Sequence, residues 1–118
     1  MKTASAKNKG RMLQKWACDQ VARITGLPCG RDQPIESRGM GQSGCDVRLD
    51  ELAKKLFPFS IECKNCEKWN VHEWVQQAKE ERQIGTDWLL ICKRNNHQPL
   101  VIMDAARFFD IMKNTIRR

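Results

Sequence analysis

Apolar positions along the chain recur with two periods, and the places where one gives way to the other mark the elements. Leu13, Trp16, Ala17, Gln20, Val21 and Ile24 follow the three-four spacing that predicts an amphipathic helix. Gly26 and Pro28 end it. Residues 28–44 carry two prolines and four glycines, so a loop is expected there, with a short strand at Ile35 to Ser37. Cys45-Asp46-Val47-Arg48-Leu49 alternates and predicts a half-buried strand with Asp46 and Arg48 on its polar face. Asp50 caps a helical turn from Glu51 to Phe57 that stops before Pro58.

Alternation returns at Phe59 to Lys64, with Phe59, Ile61 and Cys63 on one face and Ser60, Glu62 and Lys64 on the other. Asn70 with Glu73 forms a capping box, opening a helix from Val71 to about Gln83, and Gly85 suits its end. Trp74 and Ala78 mark the buried side of that helix, while Gln76 faces solvent. Asp87 to Lys93 and Leu100 to Met103 read as strands joined by the turn-rich Arg94 to Pro99. Asp104 then caps a last helix that buries Phe108, Met112 and Ile116. Met1 to Gly10, with Lys2, Lys7 and Lys9, reads as a basic flexible arm ahead of one domain over 11–118. The fold class is α/β (α+β).

Composition narrows the function. The 118 residues suffice for one core without disulfides or metal. Twenty-one Lys and Arg stand against 14 Asp and Glu, and the resulting +7 favours a polyanionic partner, most commonly nucleic acid. Apolar runs such as Trp88 to Cys92 are far short of the ~20 residues that span a bilayer, and the N-terminus lacks the apolar stretch of a signal peptide. The expectation is a cytoplasmic protein with no membrane partner and six reduced cysteines.

The strands at 45–49 and 59–64 carry the candidate chemistry. Paired, they set Asp46, Glu62 and Lys64 on one polar face. Two carboxylates brought together cost energy unless a cation compensates them, and a hard divalent ion such as Mg²⁺ takes such oxygens. The ordinary alternative is a set of solvated charges on an exposed sheet face.

The strings Met40-Gly41-Gln42-Ser43-Gly44-Cys45-Asp46-Val47 and Phe57-Pro58-Phe59-Ser60-Ile61-Glu62-Cys63-Lys64-Asn65 resemble the PD-(D/E)XK nuclease superfamily. More narrowly they are similar to small phage-encoded endonucleases akin to Holliday-junction resolvases. The likeness includes Lys9-Gly10-Arg11, Gln77-Ala78 and Lys93-Arg94-Asn95. It implies a restriction-endonuclease-like αβββαβ core and Mg²⁺-dependent cleavage of DNA, with Mn²⁺ an acceptable substitute. It further implies metal ligation by Asp46 and Glu62, a catalytic role for Lys64, support from Gln77, and a homodimer. Many resolvase-like relatives place a glutamate on the first helix, where this chain has Gln14. Glu36 either supplies that carboxylate or is an ordinary surface glutamate. The alternative function is a DNA-binding module on the same fold that does not cut.

Phosphate contacts fall to Arg38, Lys93 and Arg94, and to Lys9 and Arg11 near the chain start. The glycine-rich loop from Ser37 to Gly44 lacks the Gly-Lys-Ser/Thr of a nucleotide-binding P-loop, which excludes an NTPase of that kind. Cys63 and Cys66 form a lone C-x-x-C. Zinc would need Cys92 with His97 or His72 at unusual spacing to complete it.

Overall fold

The computed structural model describes residues 2–38 and 44–117. Its elements run α1 (Lys2–Thr25), β1 (Ile35–Ser37), β2 (Val47–Leu49), α2 (Glu51–Leu56), β3 (Phe59–Asn65), α3 (Val71–Glu81), β4 (Asp87–Lys93), β5 (Leu100–Ile102) and α4 (Ala105–Ile116). The five strands form one sheet in chain order, antiparallel except for the β3–β4 pair. Two parallel neighbours need a crossover, and α3 supplies it. The α1-β1-β2-β3-α3-β4 order is the αβββαβ arrangement expected, with α2 inserted before β3.

Alternation along the strands sends two sets of side chains to opposite faces. On one, Ile35, Val47, Leu49, Phe59, Ile61, Cys63, Leu89 and Ile91 pack with Leu13, Ala17, Cys18 and Val21 of α1. The other face carries Ser60, Glu62, Leu90 and Cys92, and α3 lies over it with Ala78 buried. Here the structure corrects the strand reading. β3 is covered on both sides, so its polar alternates are interior residues instead of a solvated row.

Two further expectations change. The segment expected as a basic arm is helical from Lys2, since Ala4, Ala6 and Lys7 favour helix and no proline interrupts it, and the helix runs on through Gly10. The last helix forms behind its Asp104 cap, but none of its residues is buried. Phe108, Met112 and Ile116 stay exposed because α4 touches the core chiefly through Ile111.

The end of α3 is fastened to the sheet by hydrogen bonds instead of apolar packing. Arg82 turns the chain into extended backbone, and Gln83 N–H donates to Ser60 Oγ at 2.8 Å. The Gln83 side chain then meets the Leu49 backbone twice: it accepts from the N–H at 2.9 Å and donates to the C=O at 2.9 Å. Ser60 Oγ also lies 2.7 Å from Thr86 Oγ1, which donates to the Gln83 carbonyl. One glutamine therefore ties α3, β2 and β3 into a fixed relation. Gln83→Ala should lower stability by about 2 kcal/mol, since two backbone groups lose their partners. Gln83→Glu, keeping the acceptor alone, should fall between. Urea denaturation reads both, and an unchanged midpoint for the alanine variant would refute the clamp.

Candidate active site

Asp46 stands at the entrance to β2, which pairs with β3 at Val47 and Ile61. Its backbone is held from both sides, by Asp46 N–H to Ile61 C=O at 2.9 Å and by Arg38 N–H to Asp46 C=O at 2.8 Å. The carboxylate crosses to β3 and accepts from Cys63 N–H at 2.7 Å. That bond aims Asp46 at the strand carrying Glu62 and Lys64. Gly44, with φ +93°, leads into it: a Cβ there would lie 3.0 Å from the Arg38 guanidinium, so both space and backbone favour glycine.

Glu62 is 4% exposed, and one of its oxygens, Oε2, lies 3.8 Å from Lys64 Nζ. The other, Oε1, is buried with no hydrogen-bond partner among the described residues. Burial pushes the Glu62 carboxyl up to about 8, and the charges of Asp46 and Glu81 push the same way. Lys64 opposes them without prevailing, as a contact of 3.8 Å is long for an ion pair. Asp46 is also raised, by burial first and by Glu81, while the Cys63 N–H and Lys64 hold it down. The Lys64 amine sits 5.9 Å from the centre of the Trp74 ring, on the α3 side of the sheet.

Gln77 reaches this group through an intermediary. Its Nε2 donates to Glu81 Oε2 at 3.2 Å, one helical turn further along α3. Glu81 is a residue the sequence reading missed. The available signal was its spacing of four from Gln77, which puts both on one helix face. Gln83 was missed for a different reason: it lies past the helix end, where no periodicity applies.

The remaining candidates fall elsewhere. Glu36 pairs in register with Arg48, its Oε1 3.5 Å from that guanidinium, and its Oε2 accepts from Asp32 N–H at 3.1 Å. It is thus engaged at the outer edge of the sheet, apart from Asp46 and Glu62. Gln14 is buried and accepts from Ser37 Oγ at 3.0 Å, on the α1 side and so on the face opposite Glu62. Arg11 and Arg38 line a 440 Å³ hollow between α1 and β1, shared with Lys15 and Arg31. Lys9 and Lys93 line a 690 Å³ groove at the carboxyl ends of β3 and β4. Arg94 stacks 4.3 Å from the Trp69 ring centre and donates to the Glu67 carbonyl. Residues 39–43 of the glycine-rich loop lie outside the described residues. Cys63 is buried and Cys66 exposed, so this C-x-x-C does not converge.

The donor set suits a hard cation. It is all oxygen, its carboxyl groups are crowded together, and one buried oxygen, Glu62 Oε1, meets no N–H donor among the described residues. Among the described residues no three Asp, Glu, His or Cys side chains are grouped so as to hold an ion by themselves. Two carboxylates with the rest of the shell drawn from water and phosphate is the habit of Mg²⁺.

An aspartate entering one strand and Glu-x-Lys on the next, under the crossover helix of a five-stranded mixed sheet, form the arrangement that the resemblance to PD-(D/E)XK nucleases implies. Residues 6–118 match the family described as "Phage putative PDDEXK endonuclease", and the chain belongs to that family. No curated protein and no solved structure matches it.

The buried carboxyl sets a pH dependence whose sign follows from its two states. Folded, Glu62 keeps its proton up to about pH 8; unfolded, it releases it near 4.5. Between those values the unfolded chain binds fewer protons, so stability falls as pH rises. Thermal melts in EDTA should show a midpoint declining from pH 5 to pH 8 and levelling above. Glu62→Gln should flatten much of the slope and melt higher than wild type at pH 8. A flat wild-type profile would contradict the buried, charge-crowded setting.

Proposed function

We propose that the protein is a Mg²⁺-dependent endonuclease that hydrolyses phosphodiester bonds in DNA, duplex or branched, with resolvase-like structure selectivity as its narrower form. The observation that carries this is the convergence of Asp46, Glu62 and Lys64 beneath α3, with Glu62 Oε1 buried and unpaired among the described residues. Asp46 and Glu62 hold the ion, which when bound polarises the phosphoryl group and activates water. Mn²⁺ can stand in, as it accepts the same oxygen ligands. Glu36, tied to Arg48, is a ligand only if that pair opens.

Lys64 stands 3.8 Å from Glu62, where it orients the attacking water and offsets charge developing on the phosphoryl oxygens. Water adds to phosphorus as one P–O ester bond breaks, and the departing oxygen leaves as an alcohol once it has taken a proton. Gln77 acts at one remove, holding Glu81 next to the reacting carboxylates. Lys9, Arg11, Arg38, Lys93 and Arg94 supply phosphate contacts that give affinity and a steep salt dependence. The reading places the protein in the cytoplasm, in keeping with six cysteines that are all free. No described helix is long and apolar enough to cross a membrane.

Cleavage of end-labelled duplex, single-stranded and four-way-junction DNA tests the reading directly. Metal-dependent product is expected from wild type and none with EDTA. Asp46→Ala, Glu62→Gln and Lys64→Ala should each lose at least about a hundredfold in rate. Gln77→Ala should lose roughly tenfold, the usual cost of a supporting partner. Binding without cleavage in either metal would make the chain a non-catalytic DNA-binding module.

Cutting both strands calls for two sites, and the reading includes a homodimer. The exposed Phe108, Phe109, Met112 and Ile116 of α4 support it, as an amphipathic helix with no buried residue lacks a partner for its apolar side. Sedimentation equilibrium should give twice the 13.7 kDa of one chain. A single species at the monomer mass up to tens of micromolar would exclude the pair.

A further inference from the structure

The 690 Å³ groove beyond the carboxyl ends of β3 and β4 has its own chemistry. One wall is α1, presenting Lys9, Met12 and Trp16; the other is the end of β4 with the β4–β5 connection, presenting Lys93 and then Asn95 and His97. The first wall is anchored to the sheet, because Asn65 Nδ2 donates to the Lys9 carbonyl at 3.0 Å. Trp16 belongs to the helical repeat expected to be buried, yet it is 43% exposed, and Met12, one turn earlier, is 67% exposed. An aromatic ring left open beside two lysines, with amide and imidazole groups opposite, is an unusual use of apolar surface. Among the described residues that line the groove, none is acidic.

These features select a ligand. Lysines without carboxylates attract phosphate, an exposed indole offers a face for stacking, and side-chain amides can bond a base edge. The volume lies within the usual range for sites that enclose one small-molecule group. A base inside a duplex is stacked on both faces and cannot lie against an indole within a walled groove; an unpaired base can. Position ties the groove to the cutting site. Asn65 follows Lys64 directly on β3, and successive strand residues point to opposite faces. A strand crossing the carboxyl edge of the sheet would therefore meet Lys64 on one side and this groove on the other.

We propose that the groove binds an unpaired nucleotide of the DNA strand, stacking its base on Trp16 and holding flanking phosphates with Lys9 and Lys93. This rests on the nuclease reading for its choice of DNA, and it names the substrate class as DNA with a single-stranded segment next to the cut. The test is made in EDTA, where no cleavage occurs, so its outcome is separate from that of the nuclease assay.

The probe is a single-stranded oligodeoxynucleotide carrying 5-iododeoxyuridine, compared with a blunt duplex of the same sequence. Trp16→Ala should weaken single-strand binding by roughly tenfold and Trp16→Phe should restore it, as base–aromatic stacking requires. Duplex affinity should stay within about twofold, since stacked bases do not enter the groove. Photo-crosslinking of the unmodified chain, which needs no variant to fold, should map to Trp16 or to the 93–99 segment. Unchanged single-strand affinity in Trp16→Ala, an equal loss on duplex, or crosslinks outside the groove would each overturn the proposal.

Discussion

A carboxylate confined between a sheet and a helix is costly, and Glu62 is confined among other carboxylates. Water is nearly excluded, Asp46 and Glu81 add like charge, and the Lys64 amine, 3.8 Å away, is too distant to neutralise it. Left alone, such a group keeps its proton, at the expense of its use as a ligand. The surrounding architecture holds that conflict in place. The Asp46 side chain is fixed by the Cys63 N–H, Glu81 by Gln77, and Lys64 lies against the side of the site formed by Trp74. A fold selected for stability alone would have placed an apolar residue at position 62.

Keeping the carboxylates together requires that three elements not drift. The Gln83 clamp serves this end because it bonds backbone to backbone-like partners at three points, on β2 directly and on β3 through Ser60. The antiparallel β2 and the parallel β3–β4 pair are thereby linked at the amino-terminal end of β3, while Glu62 and Lys64 project further along the same strand. Basic residues gather away from that clamp, around two hollows on the α1 side and at the carboxyl ends of the parallel pair.

Much of this was legible in the residue pattern. The caps at Asp50, Asn70 and Asp104 and the boundaries of β1 and β4 follow from local signals that a short stretch of chain satisfies by itself, whereas the placing of Asp46 against Glu62 and Lys64 depends on β2 pairing with β3. The misses share a cause. Alternation in β3 reads as half-exposed because period two reports which residues share a face, and says nothing of whether a helix covers that face. The repeats of α1 and α4 likewise name a stripe without naming its partner, so Trp16, Phe108 and Met112 were expected inside and lie outside. Glu36 was weighed as a substitute for the carboxylate that Gln14 does not supply; sheet register sets it against Arg48, while Gln14 bonds Ser37 on the α1 face.

The sequence by itself determined most of the elements, their order and the sign of the charge, since each depends on spacing within one segment or on composition, and it was the resemblance to PD-(D/E)XK nucleases that singled out Asp46, Glu62 and Lys64. Tertiary structure decided which carboxylates keep company. Glu81 joins Asp46 and Glu62 because the crossover lays α3 over β3 and Gln83 fixes its end. Burial, and with it the raised affinity of Glu62 for its proton, arises only when segments distant along the chain close over the same strand, and no local pattern of residues records that closure.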